Sequence, residues 1–309
     1  MNNAEKIKAA LTRIEEGLAT INTNEDWLKF LKFQSLFYRY SYGNTILIFL
    51  QNPEASYVMG YKSWNKLGRY VRKGSKGLAI LAPCIKRVEV FKEPENKSEY
   101  HDQEGEKETK KVLSGFRIAY VYDIADTDGS DEMLPVLVKG LSGNGDTEKE
   151  IYDRLYSVLS KEFTIQEVSG TASKGSYNLE SRIISIRSDL EYLQRIKTLL
   201  HETAHAYDFE MNPEEDIPRN RRELVAESVA YVVSMRLGLD TTSYTMSYLQ
   251  SWLKTKEELK TIADTVQKVS YRIINMLAES EDSAFSKFAR HGRALTGESP
   301  EHAQVVGNV

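Results

Sequence analysis

The stretch Leu199-Leu200-His201-Glu202-Thr203-Ala204-His205-Ala206-Tyr207 decides how this chain is read. Its apolar residues recur at helical spacing, so His201 and His205, four residues apart, lie one turn apart on a single helix face. Two imidazoles so placed reach one ion, and Glu202 between them projects toward a water held there. Metal-assisted hydrolysis of a peptide bond needs this geometry, with Glu202 as the catalytic proton acceptor. A catalytic zinc takes three protein ligands. Cys84 is the only cysteine and lies far away in sequence, while His291 and His302 fall in a weakly patterned tail. The third ligand is therefore expected to be a carboxylate.

Glu223 and Glu227, again four apart, stand in the next helical segment. Glu223 is expected to bind the metal and Glu227 to accept a hydrogen bond from the second ring nitrogen of a ligand histidine. A solvated helix face is the alternative for two glutamates at this spacing. Against it, Leu224, Val225, Ala226, Val229, Tyr231, Val232 and Val233 make the segment apolar nearly all round, and a buried carboxylate wants a metal or a cation. Zn2+ is the expected cofactor, with another divalent metal left open. Tyr207 and Tyr231 are candidate oxyanion donors, although core positions suit both better.

Working outward, a long helix is expected from Ser188, capped by that serine with Glu191 three residues on, to Met211. Residues 164–168 and 182–187 read as strands joined by a loop holding Gly170 and Gly175. The second of these, just ahead of the metal helix, is the expected sheet edge for a peptide substrate. A helix over 147–161 precedes them, one over 220–237 follows, closed by Gly238, and two amphipathic helices come before a frayed end.

The first half has a different texture. Ile7, Ala10, Leu11, Ile14 and Leu18 mark one helix, and Trp27, Phe30, Leu31, Phe33, Phe37 and Tyr38 mark another, with Asn24 as its cap. Trp27, Phe30, Phe33 and Phe37 have the spacing of a buried stripe. Residues 78–81, 88–91 and 112–124 read as strands, and 93–111, nearly free of apolar residues, as a solvated insert at a hairpin tip. Residues 126–146, rich in glycine, hold the candidate linker. With 309 residues, the fold class expected is α+β in two domains. An N-terminal α+β domain covers residues 1–130, a linker 131–146, and a mainly helical C-terminal domain with a small sheet 147–309.

The net charge of -4 argues against a dedicated nucleic-acid binder until it is divided along the chain. Residues 1–93 carry 15 basic and 8 acidic side chains, or +7, which leaves 26 and 37, or -11, for the remainder. Residues 57–92 hold nine cations against Glu89 alone, interleaved with Tyr57, Tyr61, Trp64 and Tyr70. Cations that track phosphates beside rings that stack on bases make a single-stranded nucleic-acid surface. Lys62, Trp64, Lys66, Arg69, Tyr70, Arg72, Lys73 and Lys76 are its expected residues. A solvated basic face over a core containing Tyr61 and Trp64 is the alternative. A single cysteine allows no intramolecular disulfide, and no stretch has the length and apolarity of a leader or a membrane span, so a cytoplasmic, non-membrane protein is expected.

Several motifs resemble a known family. Tyr40-Ser41-Tyr42-Gly43-Asn44, Gln51-Asn52-Pro53, Gly60-Tyr61-Lys62-Ser63-Trp64, the run from Gly68 to Gly77, Leu81-Ala82-Pro83, Phe116 and Val121-Tyr122-Asp123-Ile124 are similar to the N-terminal domain of ArdC-type antirestriction proteins. The HExxH half is similar to their zincin-like C-terminal domain, itself akin to the ImmA/IrrE metallopeptidases. The resemblance implies a protein of conjugative plasmids or other mobile elements that binds single-stranded DNA and protects entering DNA from restriction. It also implies that the DNA surface includes residues 62–76 and that His201, His205 and Glu223 hold the metal. A protein substrate would be a restriction component or a repressor. Two alternatives stand beside this: a regulatory metalloprotease that cleaves a repressor, and a non-catalytic DNA-binding shield with a structural metal. The acidic residues of 93–111 depart from the family pattern and would repel DNA if laid over the basic face.

Overall fold

The computed structural model describes residues 2–91, 107–130, 147–213, 216–243, 245 and 256–279. Helix α1 (Asn3–Leu18) opens at Asn2, whose side chain accepts from the Glu5 amide while the Glu5 carboxylate accepts from the Asn2 amide. Helix α2 (Asn24–Leu36) is capped one residue earlier than expected. The Thr23 hydroxyl accepts from the Asp26 amide and the Asp26 carboxylate accepts back from Thr23, a reciprocal pair that Asn24, one residue further on, does not make. Trp27, Phe30, Phe33 and Phe37 are all buried, as their spacing predicts.

Helix α3 (Tyr42–Gln51) is not marked by periodicity, because it is buried on nearly every side and its apolar run 45–50 shows no polar face. Its role is clear from Asn44 and Gln51, seven residues apart on one face. The Asn44 amide group donates to the Leu81 carbonyl at 2.9 Å and accepts from the Leu81 amide at 2.8 Å. Gln51 treats Ala79 the same way, at 2.9 Å in each direction. Two side-chain amides thus stand in for a missing strand along a sheet edge.

That edge belongs to β3 (Leu78–Phe91), which pairs antiparallel with β4 (Lys107–Asp123), while β1 (Val58–Gly60) pairs on the far side of β4. The runs expected at 78–81 and 88–91 are one strand, and residues 107–111 of the expected insert belong to β4, so only 93–106 of it lies outside the described residues. Short helix α4 (Tyr61–Lys66) follows β1, and β2 (Arg69–Val71) pairs with β5 (Thr127–Gly129), a stretch read from sequence as the start of the linker. Residues 131–146 lie outside the described residues.

The second half opens with α5 (Glu148–Leu159), capped by Thr147 and Glu150. Strands β6 (Thr164–Val168), β7 (Gly175–Asn178) and β8 (Ile183–Arg187) form a sheet in the order β6-β8-β7, with β6 parallel and β7 antiparallel to β8. The strand expected to be the open edge is thus the central one. β7, which takes an edge, was hidden in sequence by its length of four polar or small residues. Helix α6 (Tyr192–Met211) starts four residues after Ser188, whose hydroxyl donates to the Val168 carbonyl instead of capping the helix. Helices α7 (Arg219–Arg236) and α8 (Lys256–Glu279) complete the described residues; the other expected amphipathic helix falls largely outside them.

One hydrophobic cluster runs from α1 and α2 through α5 and α6 to α7 and α8. The buried Trp27 indole donates to the Ser228 hydroxyl on α7 at 3.0 Å, and Gln34 donates to Gln267 on α8 at 2.6 Å. The core is therefore shared across the boundary suggested by composition. Among the described residues no helix is long and apolar enough to cross a membrane.

Candidate metal centre

Helix α6 is buried along Leu199, Leu200, Ala204 and Tyr207 and turns His201 and His205 toward α7. The two Nε2 atoms lie 3.1 Å apart. Glu223 Oε2 on α7 is 3.4 Å from His201 Nε2 and 3.7 Å from His205 Nε2. A tetrahedral zinc with bonds near 2.05 Å has ligand–ligand edges of about 3.3 Å, so this triangle fits such an ion without rearrangement. Two imidazoles and one carboxylate also suit manganese and other borderline divalent ions. Among the described residues His201, His205 and Glu223 are the group of donors close enough to share a metal.

Glu227 Oε1 lies 3.2 Å from His201 Nδ1, which leaves His201 Nε2 facing His205 and Glu223. The sequence reading missed Lys197, whose Nζ lies 2.8 Å from the other oxygen of Glu227. Lys197 sits one turn before His201, the i−4 position from which a side chain on this face can reach the same carboxylate. Replacing Glu227 by glutamine is expected to lower metal affinity about 10- to 100-fold while the fold is kept. Calorimetric metal titration measures this, and an unchanged affinity removes Glu227 from the site.

Glu202 is 8% exposed. Strand β7 passes so close that a methyl group built on Gly175 would meet Thr198 Cγ2 at 2.4 Å and Glu202 Cγ at 3.2 Å. This bare backbone lets the Tyr177 amide donate to the Glu202 carboxylate. The ligand face opens on a cavity of about 390 Å³ lined by Lys174, Gly175, Gln194 and Thr198 together with His201, Glu202, Glu223 and Glu227.

The charges around the site separate the carboxylates by role. Burial raises the Glu202 carboxyl above the usual range, more than the neighbouring histidines lower it. Hydrogen bonds from His201 and His205 hold Glu223 well below that range. Burial pushes Glu227 up, but the His201 hydrogen bond and Lys197 outweigh it, and the net shift is downward. Burial alone would lower His201, yet its bonds to Glu223 and Glu227 carry it up to about 9. One carboxyl of the group is thus raised and two are depressed.

The tyrosines considered as oxyanion donors are structural. Tyr207 is fully buried, donates to Glu162 at 3.0 Å and lies under the Arg272 guanidinium, and the Tyr231 hydroxyl shares a hydrogen bond with Thr242 at 3.3 Å. His291 and His302 lie outside the described residues.

In the basic segment the structure divides the expected residues. Lys62, Lys66, Tyr70, Arg72, Lys73 and Lys76 are exposed. Trp64 is fully buried and its indole donates to the Tyr122 carbonyl at 2.9 Å, so it belongs to the core. Arg69 is 7% exposed, with its guanidinium donating to Thr127 Oγ1 at 2.9 Å and to the Gly129 and Thr127 carbonyls at 3.0 Å. Its charge clamps β5 against β2 and does not face a ligand. Arg72 is tied by a 3.3 Å ion pair to Asp128 and a hydrogen bond to the Ala125 carbonyl.

Comparison with known proteins adds relatives to this geometry. An uncharacterized protein of Bacillus anthracis is 24% identical over 300 residues, which cover 86% of this chain and 50% of that protein. The chain thus spans about half the length of this curated relative. The crystal structure of the metal-free antirestriction ArdC protein of plasmid R388 aligns with a TM-score of 0.43 at 20% identity, covering 77% of this chain and 85% of that one. The Mn(II)-bound structure of the same R388 protein gives 0.42 at 17%, covering 78% and 90%. The family model described as the N-terminal domain of anti-restriction factor ArdC matches residues 2–122. Residues 2–122 of this chain are thus similar to the N-terminal domain of anti-restriction factor ArdC.

Proposed function

We propose that this chain is an antirestriction protein of a mobile element that binds single-stranded DNA through its basic N-terminal face and hydrolyses a peptide bond at the His201–His205–Glu223 centre. The observation that carries the second half is the triangle of donor atoms with Glu202 one residue away on the same helix, both opening on one cavity. His201, His205 and Glu223 would hold a divalent ion, zinc by the chemistry of the donors, which supplies Lewis-acid polarisation of a carbonyl and a nucleophile available at neutral pH. Glu202 accepts the proton of the attacking water at its carboxylate and returns it to the leaving amine. The Tyr177 amide fixes the direction of that carboxylate, and Glu227 with Lys197 fixes the ring of His201. β7 pairs with β8 on one side only, so its other edge is where an extended peptide can add as a strand beside Glu202.

Support for the first half lies in the exposed Lys62, Lys66, Lys73, Lys76 and Tyr70, together with the domain match. Metal analysis and binding of single-stranded against double-stranded DNA, on one preparation, test both halves together. Protein that holds no metal and takes up no added zinc or manganese ends the hydrolytic reading. A Lys73→Ala/Lys76→Ala variant is expected to bind a single-stranded oligonucleotide more weakly. The slope of log affinity against log salt should fall by about 1.4, since each phosphate contact on a single strand contributes roughly 0.7. Unchanged affinity and slope in a fluorescence anisotropy titration would place the DNA surface elsewhere.

A further inference from the structure

Three tyrosines outside the expected DNA-binding set form a connected group on the sheet face beside the basic segment. Tyr120 and Tyr122 are two residues apart on β4, so their side chains leave the same face of the strand about 6.8 Å apart. Neither could lie as it does if residue 77 had a side chain. A methyl group built on Gly77 would meet Tyr120 Cβ at 2.9 Å and Tyr122 Cζ at 3.2 Å. Helix α4 then brings in the third ring: Trp64, anchored to the Tyr122 carbonyl, fixes the helix, and Tyr61, one turn earlier, meets the Tyr122 ring edge-on with centroids 6.4 Å apart.

Two of these rings are unusually open for large aromatic groups, with Tyr61 52% and Tyr120 53% exposed. Exposed rings held in place by packing present flat apolar faces that another flat group can cover. Exposed cations border them: Lys62 follows Tyr61, and Lys76 precedes Gly77, against which Tyr120 and Tyr122 lie. Aromatic rings on a sheet face with flanking cations take unpaired bases by stacking, whereas a duplex hides its base faces.

We propose that Tyr61, Tyr122 and Tyr120, the last two lying against Gly77, are the base-stacking surface for a single-stranded nucleic acid, with Lys62 and Lys76 receiving the adjoining phosphates. This rests on the single-strand reading above and names the residues that grip the bases. It separates two contributions that the lysines and tyrosines make independently. Stacking is sequence-tolerant and insensitive to salt, while phosphate contacts carry the salt dependence.

The test is anisotropy titration of a fluorescent oligothymidine over a range of salt, with wild-type protein, Tyr61→Ala/Tyr120→Ala, Tyr61→Phe/Tyr120→Phe and Lys73→Ala/Lys76→Ala. Cross-linking to an oligonucleotide carrying 5-bromodeoxyuridine accompanies it. The alanine pair is expected to weaken binding roughly ten-fold or more per tyrosine with the wild-type salt slope, and the phenylalanine pair to bind as wild type. Cross-links should map to β4 or α4. Wild-type affinity in the alanine pair, or cross-links confined to other elements, overturns the stacking surface while leaving the single-strand reading intact. Wild-type protein with no affinity for the oligonucleotide overturns both. Circular dichroism distinguishes lost stacking from lost fold, and a folded alanine pair with a reduced salt slope also counts against the proposal.

Discussion

Glu202→Gln protein is expected to retain its metal and its affinity for single-stranded DNA, while metal-dependent peptide hydrolysis falls by about 10²–10⁴-fold, the usual contribution of a positioned proton-transfer group. Glutamine keeps the shape of the side chain and can still receive the Tyr177 amide at its carbonyl oxygen, so the helix and β7 stay in place. What it loses is the ability to take a proton. The fold should not suffer, because burial raises the Glu202 carboxyl and the ionised group is therefore a cost to the folded chain. The sign follows from linkage. A carboxyl raised in the folded state imposes no penalty below the unfolded value and an increasing one as pH climbs through the folded value. Glu202→Gln should accordingly match wild-type stability in acid and equal or exceed it at neutral pH in metal-free protein, as measured by denaturant unfolding. In a transfer assay, loss of protection of incoming DNA by this variant, with metal content and DNA binding intact, excludes a purely passive DNA shield. Full protection by the variant excludes proteolysis as the route of protection.

Trp27→Ala is expected to remove about 3–5 kcal/mol of stability, the range for truncating a fully buried tryptophan, and to leave the Ser228 hydroxyl without its indole partner. For a chain of this size that loss corresponds to a fall of roughly 10 °C in Tm. The effect should reach the metal centre. Ser228 adjoins Glu227 on α7, and α2 packs along that helix, so loosening the contact frees the element that carries both carboxylates. Metal affinity in the folded Trp27→Ala protein is expected to drop with stability, and Trp27→Phe, which fills most of the space, should recover a good part of each. A large stability loss with wild-type metal affinity would mean that α2 unfolds without disturbing α7, and that the shared core does not couple the two halves. Thermal unfolding followed by far-ultraviolet circular dichroism, with a metal titration on the same samples, separates these results.

The candidate donor triad was legible because the helix period ties sequence spacing to direction. His201 and His205, and Glu223 and Glu227, each stand four apart, and four residues on a helix is one turn on one face. The apolar character of α7 marks both glutamates as buried carboxylates in need of partners, but only the fold sets Glu223 near the two Nε2 atoms and Glu227 at His201 Nδ1. Lys197, one turn before His201, obeys the same rule and reaches Glu227 from that side.

The basic surface was legible only in part. Charge density over residues 57–92 marks a region but does not say which way a side chain points in short elements. α4 has six residues and β2 has three, too few for periodicity to separate faces. Trp64 and Arg69 therefore passed for ligand groups when one is core and the other a clamp on β5, while Tyr120, distant in sequence from the basic run, was invisible until β4 paired with β3.

By itself the sequence marked the candidate metal donors and the helices that present them, because those depend on local spacing within single helices. Three features were decided only by tertiary structure: the strand that lies against Glu202, the rings exposed beside the basic face, and the burial of α2 against α7. Each depends on contacts between distant segments, such as Tyr177 with Glu202, 25 residues apart, and Trp27 with Ser228, 201 apart. Such contacts are selected by how well whole elements pack, a property that no short window of residues carries.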